Sequence, residues 1–137
     1  MALLYAEESY IIRGAAYGIY KLFRNSHKEA VYQKSFYLAL KKNGYRVEKE
    51  KRIDVYYEKE KVGIYVPDLI VNGRILIELK AKPRLLPEDI KQFWHYLKGT
   101  EYRLGFLINF GSSDGVEIGR RVYDSARLVK ASTRGSA

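Results

Sequence analysis

The stretch VPDLIVNGRILIELK, residues 66–80, decides how this chain folds. It contains two apolar segments separated by Asn72 and Gly73, and an Asn-Gly pair between such segments is a strong signal for a β-hairpin. One aspartate, one glutamate and one lysine nevertheless interrupt the apolar run. The hairpin therefore raises the question of what these charged side chains do.

The three charges are Asp68, Glu78 and Lys80. A charge inside a buried strand costs several kcal/mol unless it is paired or bound to a metal. Glu78 and Lys80 are two residues apart and so lie on one face of their strand. One interpretation is an edge hairpin whose polar face lies in water, with Lys80 pairing with Glu78. The other is a functional site.

The length of the turn separates these interpretations. A strict two-residue turn places Asp68 opposite Ile77, so that Asp68 and Glu78 project from opposite faces. A three-residue loop 71–73, with its glycine left-handed in a bulge, places Asp68 opposite Leu76 and on the same face as Glu78. We predict this second register or an equivalent bulge, because two carboxylates can share a metal ion only from one face.

Hydrophobic periodicity predicts the elements around the hairpin. Three amphipathic segments indicate helices, over residues 7–23, from Ser26 to a left-handed cap at 43–44, and from Pro87 to Gly99. Alternating or continuous apolar runs indicate strands over 45–57, 104–110 and 116–123. The predicted order is ααβββαββ, an α/β or α+β fold with a mixed central β-sheet flanked by helices. The third helix should connect two parallel strands.

The bulk composition is that of a compact globular protein. The 137 residues are most simply one domain, here placed at 1–130, followed by a flexible tail at 131–137. There is no cysteine, which leaves carboxylates and histidines as side-chain metal ligands. No basic leader and no apolar run of roughly 18 residues is present, so a cytoplasmic protein without membrane contact is expected.

The charge balance favours a nucleic-acid partner. Lys and Arg number 25 against 16 Asp and Glu, a net charge of +9, and 13 tyrosines are interleaved with these bases. Such a surface attracts phosphate backbones, and tyrosine rings can stack on bases. The basic residues that we expect to contact phosphates are Lys82, Arg84, Lys91, Arg120 and Arg121.

The charges of the hairpin suit phosphodiester hydrolysis. Asp68 and Glu78 would bind Mg²⁺ or Mn²⁺, together with a backbone carbonyl nearby, and the ion would polarise the phosphate and lower the pKa of its water. Lys80 would orient the attacking water and stabilise the developing charge. Asp68, Glu78 and Lys80 are accordingly the candidate catalytic residues.

This pattern resembles the PD-(D/E)XK signature of a nuclease superfamily. The resemblance implies that Glu29, on the second helix, supplies an additional acidic residue as catalytic group and metal ligand. Glu29 also completes the sequence Ser26-x-x-Glu29, which is typical of a capping box, so both roles stay open. Gln92 and Tyr96 resemble the Q-x-x-x-Y motif of RecB-like nucleases, which implies that they position the substrate.

The whole chain resembles the GxxExxY protein family within that superfamily, RecB-like but without an iron–sulfur cluster. The similar segments are residues 7–23, Glu29 to Tyr32, 68–81, 92–98 and 105–111. One departure is Ser26, which stands where the motif has its first glycine. The resemblance implies a restriction-endonuclease-like core and a metal-dependent deoxyribonuclease.

Alternatives remain for the function. The chain could be a catalytically silent nucleic-acid-binding module of the same fold in a larger assembly, or a structural subunit that uses its aromatic residues as an interface. DNA is the expected partner, RNA stays open, and the sequence is compatible with a homo-oligomer.

Overall fold

The computed structural model describes residues 4–123. Its helices are α1 (Ala6–Phe23), α2 (Glu29–Lys42) and α3 (Pro87–Lys98). Proline at the first position of α3 fits the helix start, because its missing N–H would have no partner there. Gly99 follows its last residue. The three predicted helices are therefore confirmed within a few residues at their ends.

Seven strands complete the described fold. Five of them form the central sheet in the order β1-β4-β5-β6-β7, and β2 and β3 form a separate antiparallel pair. Strands β5 and β6 are parallel and are connected through α3, as predicted, while the other neighbours in the central sheet are antiparallel. The strands are β1 (Val47–Lys49), β2 (Ile53–Tyr57), β3 (Glu60–Tyr65), β4 (Leu69–Val71), β5 (Ile75–Lys80), β6 (Leu104–Asn109) and β7 (Glu117–Val122).

Helices cover both faces of the sheet. The odd-numbered residues of β5 belong to the larger core, which also contains buried side chains of α1 and α2. Leu76, an even-numbered residue of β5, belongs instead to a second cluster with Leu97 of α3 and Tyr65 of β3. Because the side chains of a strand alternate between faces, the even-numbered residues of β5 lie on the α3 side. Glu78 and Lys80 are on that side.

The mixed α/β fold class is confirmed, but the described part has two more strands than predicted. The segment 45–57 was predicted as one strand, and the structure divides it between two sheets. The break lies at Glu50, whose φ of 50° is left-handed. A tight turn at left-handed Glu58 and Lys59 follows β2, and Glu60 already begins β3, a strand that was not predicted from the sequence.

The turn of the hairpin at 66–80 places Asp68 on the predicted face, but the two strands pair in another register. Val71 pairs with Ile75, so the loop is Asn72-Gly73-Arg74. The predicted pairing of Asp68 with Leu76 is therefore wrong by two residues along β5. Asn72 and Gly73 have φ values of 53° and 65°, and the Arg74 N–H donates to the Val71 carbonyl. Asn72 also accepts from the Arg46 N–H beside β1, which fixes the turn from outside the hairpin. The hairpin is not at a sheet edge.

Helix α2 begins at Glu29, three residues later than predicted. Its N-terminal cap is Lys28, which makes no side-chain capping hydrogen bond. The capping box between Ser26 and Glu29 is therefore not formed, because Ser26 lies two residues before the capping position. The Glu29 side chain is left for another role.

The C-terminal tail at 131–137 and the domain end placed at residue 130 lie outside the described residues and stay predictions. In the described range, every helix is too short or too polar to cross a membrane.

Candidate active site

Asp68 and Glu78 lie across from each other at the start of β4 and near the end of β5. Leu69 pairs with Ile77, and the same antiparallel register continued by one residue brings Asp68 opposite Glu78. The Leu79 N–H donates to Asp68 Oδ2 over 2.7 Å. The Tyr65 hydroxyl donates to Glu78 Oε1 over 2.9 Å. Two half-buried carboxylates therefore share one face, and hydrogen-bond donors hold each of them.

The ionisation of both carboxylates is disfavoured. Burial, followed by the negative charge of Asp68, raises the pKa of Glu78 to about 7, while the Tyr65 hydroxyl and Lys80 act in the opposite direction. Burial also raises the pKa of Asp68, against the lowering by the Leu79 N–H and Lys80. The pair thus carries an excess of negative charge that a cation would offset.

Lys80 ends β5 on the same face as Glu78 and is half-buried. Its positive charge lowers the pKa of each acidic residue of the site: Glu29, Asp68 and Glu78. The structure therefore brings the three hairpin charges together.

Glu29 reaches this site from the first turn of α2. Partial burial and then the charge of Asp68 raise its pKa, and Lys80 lowers it. One helical turn further on, the Gln33 amide donates to the Asp68 carbonyl over 3.2 Å. Sequence reasoning missed Gln33, although its spacing of four residues from Glu29 places both side chains on one helix face.

Gln92 and Tyr96 connect to the site through a third residue. Gln92 Nε2 lies 3.4 Å from the Tyr96 hydroxyl. The Tyr96 ring stacks on Tyr65 with ring centres 4.3 Å apart and planes 12° from parallel, and Tyr65 donates to Glu78. Sequence reasoning missed Tyr65, which has no motif of its own. Its position three residues before Asp68 was the available signal.

A hydrogen-bond network fixes the chain after Lys80. The Asn109 side chain, on β6, accepts from the backbone N–H of Lys82 and donates to the Lys82 carbonyl and to Glu117 Oε1. Gly111 packs against this segment so closely that a Cβ atom there would lie 2.3 Å from the backbone N and O of Lys82. These contacts fix the path of the backbone that follows Lys80.

The predicted phosphate contacts differ in their surroundings. Lys82 is not free, because its ammonium group contacts both carboxylate oxygens of Asp89 at 3.0 and 2.8 Å. Arg84 and Lys91 are exposed. On β7, Arg121 pairs with Gly105 and so shares the face of Glu78, whereas Arg120 lies on the α1 face.

The guanidinium group of Arg120 donates to the Leu4 carbonyl, and burial lowers its pKa. Arg120 is therefore directed away from the carboxylate pair. Successive side chains of a strand alternate between faces, so Arg120 and its neighbour Arg121 lie on opposite sides of the sheet.

The donor set has the chemistry of a site for a hard divalent ion. Asp68 and Glu78 offer oxygen atoms, which Mg²⁺ and Mn²⁺ prefer. Their pKa values are raised first by burial, so a bound cation would stabilise the ionised carboxylates that water solvates poorly here. Among residues 4–123, however, no group of three or more His, Cys, Asp or Glu side chains is placed to hold a metal ion. The two carboxylates therefore fit an ion only together with backbone or water oxygens.

Comparison with known proteins gives a family match and a structural likeness. Residues 6–122 match the family model of the PD-(D/E)XK nuclease superfamily. No curated protein matches the chain. A similar solved structure is an alkaline exonuclease from Laribacter hongkongensis, with 16% identity and a TM-score of 0.47. The likeness covers 73% of this chain and 58% of the exonuclease, so the chain spans less than two thirds of that protein.

Proposed function

Because the chain belongs to the PD-(D/E)XK nuclease superfamily, we propose that it is a metal-dependent nuclease that hydrolyses phosphodiester bonds in DNA. The observation that carries this proposal is that Asp68, Glu78 and Lys80 lie together on one half-buried face. We also propose that the chain is a member of the GxxExxY family within this superfamily. Two residues of that motif support the assignment: Glu29, whose charge interacts with Asp68, and the buried Tyr32 one helical turn later.

In this proposal Asp68 and Glu78 hold Mg²⁺ or Mn²⁺. The bound ion would polarise the scissile phosphate and make its water a stronger nucleophile. The Leu79 N–H keeps Asp68 turned toward Glu78, and β5 keeps Glu78 and Lys80 on one face. Glu29 adds a further negative charge at the same site as an auxiliary acid.

Lys80 acts on the reacting groups directly. Its ammonium group orients the attacking water by hydrogen bonding and stabilises the negative charge that develops on the phosphate. The backbone at Lys80 is held in the sheet, since its carbonyl accepts from the Phe110 N–H over 2.9 Å, and this fixes the point from which the side chain extends.

The substrate would approach from the α3 side. Gln92 and Tyr96 lie on the exposed side of α3, where they can position the nucleic-acid strand. Arg84, Lys91 and Arg121 are the phosphate contacts that the geometry favours. DNA is the proposed substrate and the cytoplasm the proposed location.

A silent nucleic-acid-binding module is the second candidate, and the net charge of +9 favours it as much as the nuclease. The carboxylate pair separates the two. Carboxylates facing phosphate repel it unless a cation lies between them, and a pure binding module has no need of them.

The decisive experiment incubates the protein with linear and circular DNA, single- and double-stranded, in Mg²⁺, Mn²⁺ or chelator. Asp68→Ala, Glu78→Ala and Lys80→Ala are tested beside Lys42→Ala, a matched control at the exposed end of α2. We expect metal-dependent cleavage that each site variant reduces at least about 100-fold, in the range found when a stabilising group is removed. Cleavage at the original rate by Lys80→Ala would exclude the proposed mechanism.

DNA affinity measured alongside cleavage tests the second candidate. For the nuclease, added Mg²⁺ should strengthen DNA binding, because the ion screens the carboxylates. A binding module should show only the weakening that rising ionic strength produces.

A further inference from the structure

Tyr65 joins three separate parts of the molecule. It is the last residue of β3, and only 5% of its surface is exposed. Its hydroxyl donates to Glu78 Oε1 on β5, and its ring stacks on Tyr96 of α3. The small β2–β3 sheet, the central sheet and α3 thus meet at one side chain next to the carboxylate pair.

We infer that Tyr65 is a positioning residue that sets the orientation of the Glu78 carboxylate and thereby the affinity of the site for a divalent cation. A second part of the inference concerns α3: the Tyr96 ring affects the affinity of the site for the ion through its stack on Tyr65, in addition to any contact that Tyr96 makes with nucleic acid. The inference rests on the proposed function, because it takes Glu78 to be a metal ligand.

The hydroxyl of Tyr65 is suited to this role because it lies within direct hydrogen-bonding reach of Glu78, 2.9 Å from Oε1, and because the residue is almost fully buried. A donor fixed on one carboxylate oxygen limits the rotation of the carboxylate and directs the other oxygen. Outer partners of this kind typically contribute 10- to 100-fold in metal affinity or activity.

The stack with Tyr96 holds the Tyr65 ring in turn. The two rings are nearly parallel at 4.3 Å, and offset stacking of such rings stabilises their arrangement beyond the area they bury. Tyr96 is 37% exposed, so one side of the pair is open to the surroundings of the site. Removal of the Tyr96 ring should therefore loosen Tyr65 and, through it, Glu78.

The experiment measures Mn²⁺ binding by isothermal titration calorimetry on the chelator-treated full chain, with no substrate present. Tyr65→Phe removes the hydroxyl and keeps the ring. Tyr57→Phe is the matched control, since Tyr57 lies on the neighbouring β2 with 66% of its surface exposed. Asp68→Ala removes a proposed metal ligand and shows how the protein behaves when the metal site is lost. Circular dichroism confirms that each variant is folded.

We expect Tyr65→Phe to raise the Kd for Mn²⁺ about 10-fold or more, while Tyr57→Phe keeps the original Kd. Tyr96→Phe, which keeps the stack, should bind like the unaltered protein, and Tyr96→Ala should weaken binding. In the cleavage assay, the Mn²⁺ concentration for half-maximal rate should rise for Tyr65→Phe, with the rate at saturating Mn²⁺ largely recovered.

An unchanged Kd for Tyr65→Phe, in a protein that binds Mn²⁺ and loses it on Asp68→Ala, would overturn the positioning role alone. Absence of Mn²⁺ binding by the unaltered protein would overturn both this inference and the proposed function. If Tyr96→Ala binds normally while Tyr65→Phe does not, the coupling to α3 is excluded and the contact with Glu78 stands.

Discussion

Glu78 is the residue whose surroundings conflict most with its own charge. Its carboxylate is half-buried opposite Asp68, and its pKa is raised from 4.5 to about 7. Lys80 and the Tyr65 hydroxyl reduce this conflict without removing it. In the absence of a bound cation, the folded protein therefore takes up a proton at Glu78 that the unfolded chain has already lost at the same pH.

This proton makes the stability of the metal-free protein dependent on pH. Since the pKa of Glu78 is higher in the folded state, the free energy of unfolding should fall as the pH rises from about 4.5 to about 7 and then level off. The loss attributable to Glu78 should be at most about 3 kcal/mol, from 1.36 kcal/mol per pKa unit. Urea unfolding in chelator at pH 5 and pH 8 measures it.

Glu78→Gln provides the comparison, because the amide keeps the shape of the side chain and does not ionise. The difference in stability between pH 5 and pH 8 should be smaller in Glu78→Gln than in the unaltered protein. Parallel pH profiles for the two proteins would show that Glu78 is not the group responsible.

At the scale of elements, the ends of β5 and β6 determine where the site lies. The two parallel strands leave the sheet side by side, and Gly111 passes against the backbone of the segment after Lys80. Any side chain at this position would push the two strand ends apart. The glycine is needed there for space, since nearby backbone atoms, which cannot rotate away, fill the position of a Cβ atom.

We therefore expect Gly111→Ala to lower the free energy of unfolding by about 2 kcal/mol or more, as overpacking against rigid groups does. Gly18→Ala is the matched control. Gly18 lies in α1 with nothing within 4 Å of a Cβ atom, so alanine there should raise stability by about 0.5–1 kcal/mol. Thermal and urea unfolding of both variants distinguish them. Equal effects would contradict the close approach at Gly111.

Local signals in the sequence account for most of the elements. The helices were predictable because proline, glycine and the 3.6-residue period mark them directly, as at Pro87 and Gly99. The split of the segment 45–57 was not, because it depends on a left-handed Glu50, a conformation for which glutamate has no preference. Propensity could not locate that break.

In the molecule as a whole, the site residues that belong to a sequence motif were predictable. The residues that hold them in place, such as Tyr65 and Gln33, were not. Asp68, Glu78 and Lys80 follow from the hairpin sequence and lie on one face. Glu29, which the family resemblance indicated, lies near enough for its charge to interact with Asp68 and Lys80. The exact register of the hairpin depends on Asn72 bonding to Arg46, a contact between distant parts of the chain. Tertiary packing of this kind leaves no periodic trace in the sequence.

The positive charge of the molecule leads to a prediction for its binding to DNA. Each phosphate contact that is removed should lower the steepness of the dependence of log K on log salt concentration by about 1. Arg84→Ala and Lys91→Ala should each have this effect, because both side chains are exposed and lie in or just before α3, the side from which the substrate is proposed to approach. Fluorescence anisotropy at several salt concentrations measures the slopes.

Lys42→Ala removes an equal charge at the far end of α2, about 20 Å along the helix from Glu29. Its slope should match that of the unaltered protein. If all three variants change the slope equally, binding follows the net charge and not a defined surface.

The position of Asp68 and Glu78 on one hairpin also bears on folding. A β-hairpin forms within about 1–10 µs, so these two like charges come together early, before most contacts between distant segments. We therefore expect refolding to be faster with a divalent cation than with chelator, because a cation reduces the repulsion between the two carboxylates.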